Sequence, residues 1–292
     1  MTLLQMRYFI AVCDHGSLTA AAKALFVTQP ALSTAISRLE KEYSLKLFER
    51  TSHGLSLTGD GAFLYERAKE LQRMADILDK DLMDLASGKV TIRIGVPPMI
   101  GSFVFPKVYN LYMRDHPDTS FEIWEEGSLS IRKKIADKSL DIGFAILNDS
   151  ANEHFEKERI TESELLYVVN RNNPLSSMET VTIEDIKDEP LVLFKEGFFQ
   201  NQLINGMYHA VNRTPNIVLA SSQLSVIRNF VRMDAGGAFL MKDLVEEGDP
   251  AIKGIPFKDR IVLSIGLIWG KEAKLHAGAE AFIRALRTMS VL

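Results

Sequence analysis

Polar side chains recur on one face of a helix that we predict to begin after Thr28 and to continue through residues 31–39. Gln29, Ser33, Ser37 and Arg38 point away from the apolar face of this helix, because residues three and four apart share a face. Groups of this kind form hydrogen bonds, and a helix that exposes them near its start is typical of a helix-turn-helix. Spacing alone leaves open whether this helix has that role or is an ordinary surface helix.

Searches for catalytic and metal-binding patterns find nothing. The sequence has no G-x-S-x-G, G-x-x-x-x-G-K-[ST] or H-E-x-x-H motif, and no G-x-G-x-x-G after a strand. The pairs Glu125-Glu126 and Glu246-Glu247 are adjacent in sequence and point in different directions, so we interpret them as solvated charge. The six histidines lack metal-ligand spacing, and the single Cys13 excludes a cysteine-pair redox switch. We expect no catalytic residue, no metal site and no cofactor.

Two further helices and a pair of strands would position the polar helix. One helix begins near residue 3 and ends at His15-Gly16, and the next begins after Ser17, whose hydroxyl can cap it. Thr28 is a second cap, and Pro30 lies in the first turn of the polar helix, where a missing N–H costs little. Residues 47–58 look like two short strands around a polar turn, which would form a wing beside the helices.

Charge is divided unevenly along the 292 residues. The net charge is −4, but residues 1–58 carry six basic and four acidic side chains, a net charge of +2, and the remainder carries −6. A basic head on an acidic body is compatible with DNA binding by the head alone. The sequence starts without a signal peptide and lacks an apolar stretch near the roughly 20 residues of a spanning helix. We therefore expect a soluble cytoplasmic protein with no membrane partner.

An apolar stripe with heptad spacing follows the wing. Its members alternate by steps of four and three: Leu64, Ala68, Leu71, Ala75, Leu78, Leu82 and Leu85. The helix that carries them, at about residues 60–87, has charged side chains on its other faces. It either packs on its own body or forms a dimer seam. We favour the seam, because so long and polar a helix would otherwise have little to bury its stripe against.

Strands alternate with helices after residue 88. We predict strands at 90–96, 120–124, 141–146, 165–169, 191–194, 217–219, 238–241 and 261–269, and helices at 103–115, 131–136, 222–233 and 276–289. Such alternation favours a mostly parallel sheet, and two runs of it suggest two lobes. In open parallel sheets, ligands bind beyond the carboxyl ends of the strands.

Ordered blocks in the head resemble the winged helix-turn-helix of LysR-type transcriptional regulators. The blocks are Phe9-Ile10-Ala11-Val12, Ser17-Leu18-Thr19-Ala20-Ala21-Ala22, Thr28-Gln29-Pro30-Ala31-Leu32-Ser33, Ile36-Ser37-Arg38-Leu39-Glu40, Leu45-Lys46-Leu47-Phe48-Glu49-Arg50 and Leu57-Thr58. The resemblance covers the entire chain, since residues 141–145 look like the strand that closes the first half-lobe of the family. Within the family, residues 94–100 and 125–128 look most like the CidR branch, whose members sense small carboxylates of overflow metabolism.

The resemblance implies that paired heads of a homodimer or homotetramer bind an imperfect palindrome in double-stranded DNA, with RNA polymerase as a further partner. The residues expected to contact DNA are Ser17, Thr19, Thr28, Gln29, Pro30, Ser33, Thr34, Ser37, Arg38, Arg50 and His53. Those on the recognition helix would meet base edges, whereas Ser17, Thr19, Arg50 and His53 would hold phosphates. Helix capping remains an alternative role for Ser17 and Thr28.

The resemblance also implies that an effector binds between two lobes like those of periplasmic binding proteins. The residues expected to line the cleft follow strand ends or begin helices: Pro98, Met99, Ile100, Gly101, Ser102, Gly127, Ser128, Phe194, Phe198, Ser221, Ser222 and Gln223. Helix N-termini favour an anion, so a carboxylate can bind without a cationic side chain. The proline pair and the phenylalanines suggest a small apolar-walled cleft for a short carboxylic acid, although each aromatic is equally compatible with a place in the core.

These expectations give an α+β multidomain protein. We predict a winged helix-turn-helix at residues 1–58, a long linker and dimerisation helix at 59–88, and a two-lobe α/β effector domain at 89–292. The first lobe would comprise about 89–163 and 267–292, and the second about 164–266. The alternative is a ligand-binding or enzymatic α/β protein with an accessory DNA-binding head.

Overall fold

The computed structural model describes residues 1–51, 54–88, 90–246 and 249–288. The chain divides into two units, Met1–Ser87 and Gly88–Leu292. The first unit is the predicted head together with the linker helix, and the second is the predicted effector domain. None of the helices in these described ranges combines the length and the apolar character needed to cross a membrane.

Three helices and a strand pair form the head. Helix α1 spans Leu3–His15, α2 spans Leu18–Ala24 and α3 spans Gln29–Tyr43, and the antiparallel strands β1 (Phe48–Thr51) and β2 (Gly54–Leu57) follow them. Each helix begins where a hydroxyl accepts a hydrogen bond from an amide of the first turn; these hydroxyls belong to Thr2, Ser17 and Thr28. The predicted caps at Ser17 and Thr28 are therefore confirmed, as is the end of α1 at Gly16, whose φ of 59° suits glycine.

Apolar faces of these helices meet in one core. Leu32, Ile36 and Leu39 of α3 are buried there, and the rings of Phe9 and Phe48 lie 5.4 Å apart. The apolar face predicted for this helix is therefore the face that the core buries. The same packing turns the polar face of α3 outward.

The linker helix α4 spans Gly59–Ser87. Its first turns belong to the head: Ala68 is 1% exposed within the head core and Leu64 packs against that core. The assignment of Ala68 to a dimer seam is therefore wrong, because the head already covers it. Leu64 is only half-buried, so its place in the seam stays a prediction. Farther along, Leu71, Leu78 and Leu82 are exposed and Ala75 is half-buried, whereas the side chain of Leu85 lies outside the described part.

The second unit begins with three strands and their connecting helices. These are β3 (Val90–Val96), α5 (Pro98–Asp115), β4 (Thr119–Glu125), α6 (Ser128–Ala136) and β5 (Ile142–Ile146). Helix α5 begins five residues earlier than predicted, because Pro98 is suited to a first helical position, where no amide partner is needed. Helix α6 likewise begins at Ser128 rather than at residue 131.

The rest of the unit contains two very long strands. In chain order the elements are β6 (Phe155–Asn170), α7 (Ile183–Ile186), β7 (Pro190–Phe194), α8 (Phe199–Ala210), β8 (Asn216–Ser221), α9 (Leu224–Arg232), β9 (Ala238–Met241), α10 (Lys242–Glu246), β10 (Ile252–Gly270) and α11 (Ala277–Thr288). Strands β6 and β10 each run across a predicted lobe boundary and pair antiparallel along most of their length. They connect the two lobes, and their pairing is irregular between Pro256 and Ile261 and between Ile265 and Gly266.

The main sheet is mixed, so the prediction of a mostly parallel sheet is wrong. Its order is β4-β3-β5-β10-β6-β9, with β3 parallel to β4 and β5, but β10 antiparallel to β5 and β6, and β6 antiparallel to β9. Strands β7 and β8 form a separate parallel pair. The antiparallel pairing could not be predicted, because an alternation of strands and helices in the sequence does not determine the direction of each strand in the sheet.

Candidate DNA-binding and effector-binding sites

The recognition helix α3 presents its polar side chains to solvent. Thr28, Gln29, Pro30, Thr34, Ser37 and Arg38 are exposed, and Ser33 is half-buried. They share the face opposite Leu32, Ile36 and Leu39, which the head core holds at 6% exposure or less. Amide, hydroxyl and guanidinium groups on such a face can bond to base edges in a major groove.

Two of the predicted DNA contacts also hold helix starts in place. The Ser17 hydroxyl accepts from the Ala20 amide at 3.4 Å, and the Thr28 hydroxyl accepts from the Ala31 amide at 3.4 Å. Thr19, two residues after Ser17, is exposed. The capping role that sequence reasoning left open is therefore present at both positions.

A carboxylate connects the recognition helix to the wing. Glu40 Oε1 of α3 accepts from the Leu47 amide at 2.8 Å and from the Phe48 amide at 3.4 Å. These bonds fix the start of β1 against α3. Two predicted phosphate contacts fall in the wing: the side chain of Arg50 and the whole of His53 lie outside the described residues.

The thiol of Cys13, the single cysteine, is unreactive at neutral pH. Burial, and to a lesser degree the neighbouring Asp14, raises the pKa of its thiol to about 12. The thiol is therefore protonated at neutral pH, and a thiolate is the form that reacts. Within the described ranges, no group of three or more histidine, cysteine, aspartate or glutamate residues could hold a metal ion.

A cavity of about 40 Å³ lies where strands end and helices begin in the second unit. Its lining comes from both lobes: Pro97, Pro98, Met99, Ile100, Ser128, Ile146, Phe194, Phe198, Phe199, Gln200 and Met241. The walls are almost wholly apolar, and the rings of Phe194 and Phe198 stack with their centres 5.0 Å apart. Six of the twelve residues expected from the sequence meet here: Pro98, Met99, Ile100, Ser128, Phe194 and Phe198.

Three helices start at this cavity without a side-chain cap. The residues before α5, α6 and α8 are Pro97, Gly127 and Phe198, and none of them forms a capping hydrogen bond within the described structure. The first amides of a helix have no carbonyl partner in their own helix and carry partial positive charge. The cavity is therefore surrounded by three positive helix ends.

The hydroxyl of Ser128 is the unsatisfied polar group of this site. Ser128 is only 6% exposed, and its Oγ has no hydrogen-bond partner in the part of the chain that the structure describes. By contrast, the Gln200 amide group is fully used: its oxygen accepts from the Phe194 amide at 3.1 Å and its nitrogen donates to the Phe239 carbonyl. An orphaned buried hydroxyl is costly and points to a missing partner.

The two lobes touch directly beside the cavity. The Leu129 amide at the start of α6 donates to the Gly197 carbonyl at 3.2 Å. Gly127 lies so close that a Cβ there would sit 2.5 Å from the same carbonyl oxygen, and Gly197 has a φ of 93°. We call this contact of Gly127 and Leu129 with Gly197 the latch. Both glycines are needed, Gly127 for the close approach of the two backbones and Gly197 for its left-handed conformation.

Glu126 fixes the chain just before the latch. Burial acts to raise the pKa of its carboxyl group, but hydrogen bonds from Lys134 and Ser130 outweigh burial and leave the pKa below its usual range. The Lys134 ammonium also lies 3.7 Å from the centre of the Trp124 ring. The turn between β4 and α6 is thus held by charge and not by packing alone.

The other predicted effector residues lie outside this cavity. Ser102 and Gln223 line a separate polar cleft with Arg228 and Arg232, and Gly127 and Ser222 line a third concavity outside the latch. Gly101 and Ser221 line none of these three. The Ser102 hydroxyl donates instead to the Pro98 carbonyl at 2.8 Å, which removes it as a ligand group.

Nothing in the sequence indicated three of the lining residues, Ile146, Gln200 and Met241, whereas Pro97 and Phe199 were expected to add bulk to the cleft without being named as contacts. Ile146 and Met241 end β5 and β9, both of which were predicted, so the rule that sites follow strand ends would have found them. Phe199 and Gln200 begin α8, a helix for which the sequence analysis made no prediction.

Comparison with protein-family models gives two matches in series. The model for the bacterial regulatory helix-turn-helix protein, lysR family, matches residues 3–62, and the model for the LysR substrate binding domain matches residues 86–290. The two matches cover the head and the second unit, respectively.

Individual proteins agree with the family models. The uncharacterized HTH-type transcriptional regulator YwbI of Bacillus subtilis (strain 168) is 32% identical over 290 residues, which cover 97% of this chain and 95% of YwbI. The crystal structure of CbnR, a LysR family transcriptional regulator, covers 99% of both chains with a TM-score of 0.74 at 20% identity. Full-length CbnR complexed with its target DNA gives a TM-score of 0.75 over 98% of this chain and 100% of CbnR. Because the substrate-binding model alone spans more than half of the chain, this protein belongs to the LysR family of DNA-binding transcriptional regulators.

Proposed function

We propose that this regulator senses a short carboxylic acid, which binds in the 40 Å³ cavity between the lobes and changes how the protein binds DNA. The observation that carries the proposal is the buried hydroxyl of Ser128 at the start of α6, which has no partner among the residues that the structure describes. A carboxylate oxygen accepts a hydrogen bond from such a hydroxyl and satisfies it.

Charge supports an anion over a neutral ligand. No arginine, lysine or histidine is among the residues that line the cavity, so the positive potential must come from the backbone. The uncapped starts of α5, α6 and α8 supply it, and helix N-termini are ready-made anion sites. An anion held in this way needs no buried countercharge.

Size and wall chemistry narrow the class of acid. A cavity of 40 Å³ has room for about three water-sized groups. Phe194, Ile100 and Met99 leave no polar partner for a hydroxylated chain, and an unpaired polar group would be costly there. Unsubstituted acids of two or three carbons, such as acetate, fit both limits. They also fall in the class that the CidR-like residues suggest.

Assembly completes the proposal. A head with a net charge of only +2 gains affinity when a second head binds the adjacent half-site. The exposed stripe of Leu71, Leu78 and Leu82 on α4 supplies an apolar surface for a second copy. We propose a homodimer or homotetramer that binds an imperfect palindrome in the cytoplasm, contacts RNA polymerase and catalyses no reaction.

A thermal-shift screen tests the effector. Full-length protein is heated with acetate, lactate, pyruvate and a series of longer acids, alongside matched chloride salts. The expected result is that acetate raises the midpoint, that lactate and pyruvate raise it less because their additional oxygen finds no partner, and that Ser128→Ala abolishes the rise. Ser102→Ala is the control, because its hydroxyl is already bonded to Pro98. A stabilising acid whose effect survives in Ser128→Ala would refute this binding site, and turnover of the acid would favour an enzymatic role.

A further inference from the structure

Phe26 stands out in the turn between α2 and α3. Its side chain is 96% exposed, the largest exposed fraction among the large apolar residues described. Its backbone has a φ of 55°, which places a bulky residue in the left-handed region. Both features work against folding, because the ring buries nothing and the conformation favours glycine or asparagine.

The backbone of the turn explains why the left-handed conformation is required. The Val27 amide donates to the Ala22 carbonyl at 3.0 Å, and the Leu25 amide donates to the Ala21 carbonyl at 3.0 Å. These bonds close the end of α2 around Phe26, a position where glycine is the usual residue. The chain must adopt this conformation whichever residue is present, so the phenylalanine is not explained by the turn.

Its place in the head is next to the recognition helix. Phe26 precedes Thr28, the cap of α3, by two residues, and Gln29 and Pro30 follow at the exposed start of that helix. Lys23, on the preceding turn of α2, is also exposed. Its backbone carbonyl accepts a hydrogen bond from the Phe26 amide. An apolar ring is therefore continuous with the polar surface that a helix-turn-helix presents to a duplex.

We propose that Phe26 is a DNA contact whose ring packs on apolar atoms at the wall of the major groove, either a thymine methyl group or a deoxyribose. Phenylalanine is among the side chains that make apolar contacts with the thymine methyl. On DNA the ring would lose its water-exposed surface, which repays on binding what the strained turn costs in the free protein. Phe26 would thus act in affinity for DNA and not in stability of the head.

The test uses full-length protein and duplexes that the wild type enriches from a randomised library, with a random duplex of equal length for comparison. Phe26→Asn keeps the left-handed turn favourable and removes the ring, whereas Phe26→Tyr keeps the ring. We expect Phe26→Asn to unfold at the same or a higher urea concentration than the wild type, but to bind the enriched duplex roughly tenfold more weakly. Phe26→Tyr should bind within twofold of the wild type.

Two controls identify what the ring touches. Met233→Asn removes another exposed apolar side chain, in the second unit, and should leave DNA affinity unchanged. Replacing thymine by deoxyuridine in the enriched duplex should weaken the wild type but not Phe26→Asn if the methyl group is the contact. If deoxyribose is the contact, the same replacement should affect the wild type and Phe26→Asn equally.

Two results would overturn the proposal. If Phe26→Asn binds the enriched duplex with an affinity within twofold of the wild type, the ring makes no DNA contact. Unchanged affinity for a single half-site, with cooperativity lost on paired half-sites, would assign Phe26 to a contact between copies of the protein.

Discussion

The helices of the head and those around the effector cavity begin in opposite ways. In the head, Thr2, Ser17 and Thr28 each close a helix start with their own hydroxyl. Around the cavity, α5, α6 and α8 follow Pro97, Gly127 and Phe198, which offer no such group. Ser128, the one hydroxyl among the first residues of these three helices, is left unpartnered in the described structure.

This contrast shows how each region relates to its ligand. The head satisfies its backbone internally and exposes side chains, so its helices are preformed and DNA is met by side-chain groups. The helix starts at the cavity lack side-chain caps and are covered by apolar walls, so under our proposal a bound anion would complete the hydrogen bonding there. Capping stabilises the fold in the first case, and we propose that its absence creates a ligand site in the second.

The largest expected effect comes from separating the heads. Leu71→Asp combined with Leu78→Asp places charge on the exposed stripe of α4. We expect monomers in sedimentation and DNA binding weakened by more than about a hundredfold, because the second head no longer adds its effective concentration. An unchanged mass would contradict the seam, and Glu66→Lys on another face of α4 should leave the mass unaltered.

A smaller effect is expected at the latch. Gly127→Ala puts a Cβ 2.5 Å from the Gly197 carbonyl oxygen, so the lobes must move apart. We expect unfolding free energy to fall by about 1–3 kcal/mol and acid binding to weaken about tenfold, measured by chemical denaturation and thermal shift. Gly206→Ala is the control, because a Cβ there meets nothing within 4 Å and α8 should gain slightly. Acid binding as tight as in the wild type would show that the latch is irrelevant to the site.

The same substitution at two helix starts tests the contrast itself. Ser17→Ala removes a working cap and should lower the unfolding free energy by about 1 kcal/mol, whereas Ser128→Ala removes an orphaned hydroxyl and should leave it unchanged or higher. Urea denaturation of the two variants measures the difference. Equal losses would mean that Ser128 has a protein partner and that the two kinds of helix start do not differ.

Interactions between residues close in sequence could be predicted in these regions, whereas interactions between distant residues could not. Caps at Ser17 and Thr28 involve residues three apart, so spacing alone identified them. The cavity joins residues from 97 to 241, and Phe199, Gln200 and the mixed sheet depend on chain returns that local patterns do not encode. Ala68 shows the same limit, because its heptad position fits a seam but the head core buries it.

The smallest expected effect is a loss of folding stability at low pH. The pKa of Glu126 is lowered in the folded protein, so its contribution to stability is present above its ordinary value of 4.5 and is lost as pH falls through the lowered value. Denaturation between pH 6 and pH 3 should show this loss in the wild type, amounting to a few tenths of a kcal/mol after allowance for partial solvent exposure. Glu126→Gln should flatten that part of the profile. An identical slope in Glu126→Gln would contradict the role given to the Lys134 and Ser130 bonds.

The central claim is that an acid bound at uncapped helix starts controls DNA binding by a preformed head. The most direct measurement is DNA affinity of the full-length wild type and of Ser128→Ala during titration with the acid that stabilises the wild type. We predict equal affinities without acid, an acid-dependent change in the wild type and no change in Ser128→Ala. An acid response in Ser128→Ala equal to that of the wild type would contradict the account.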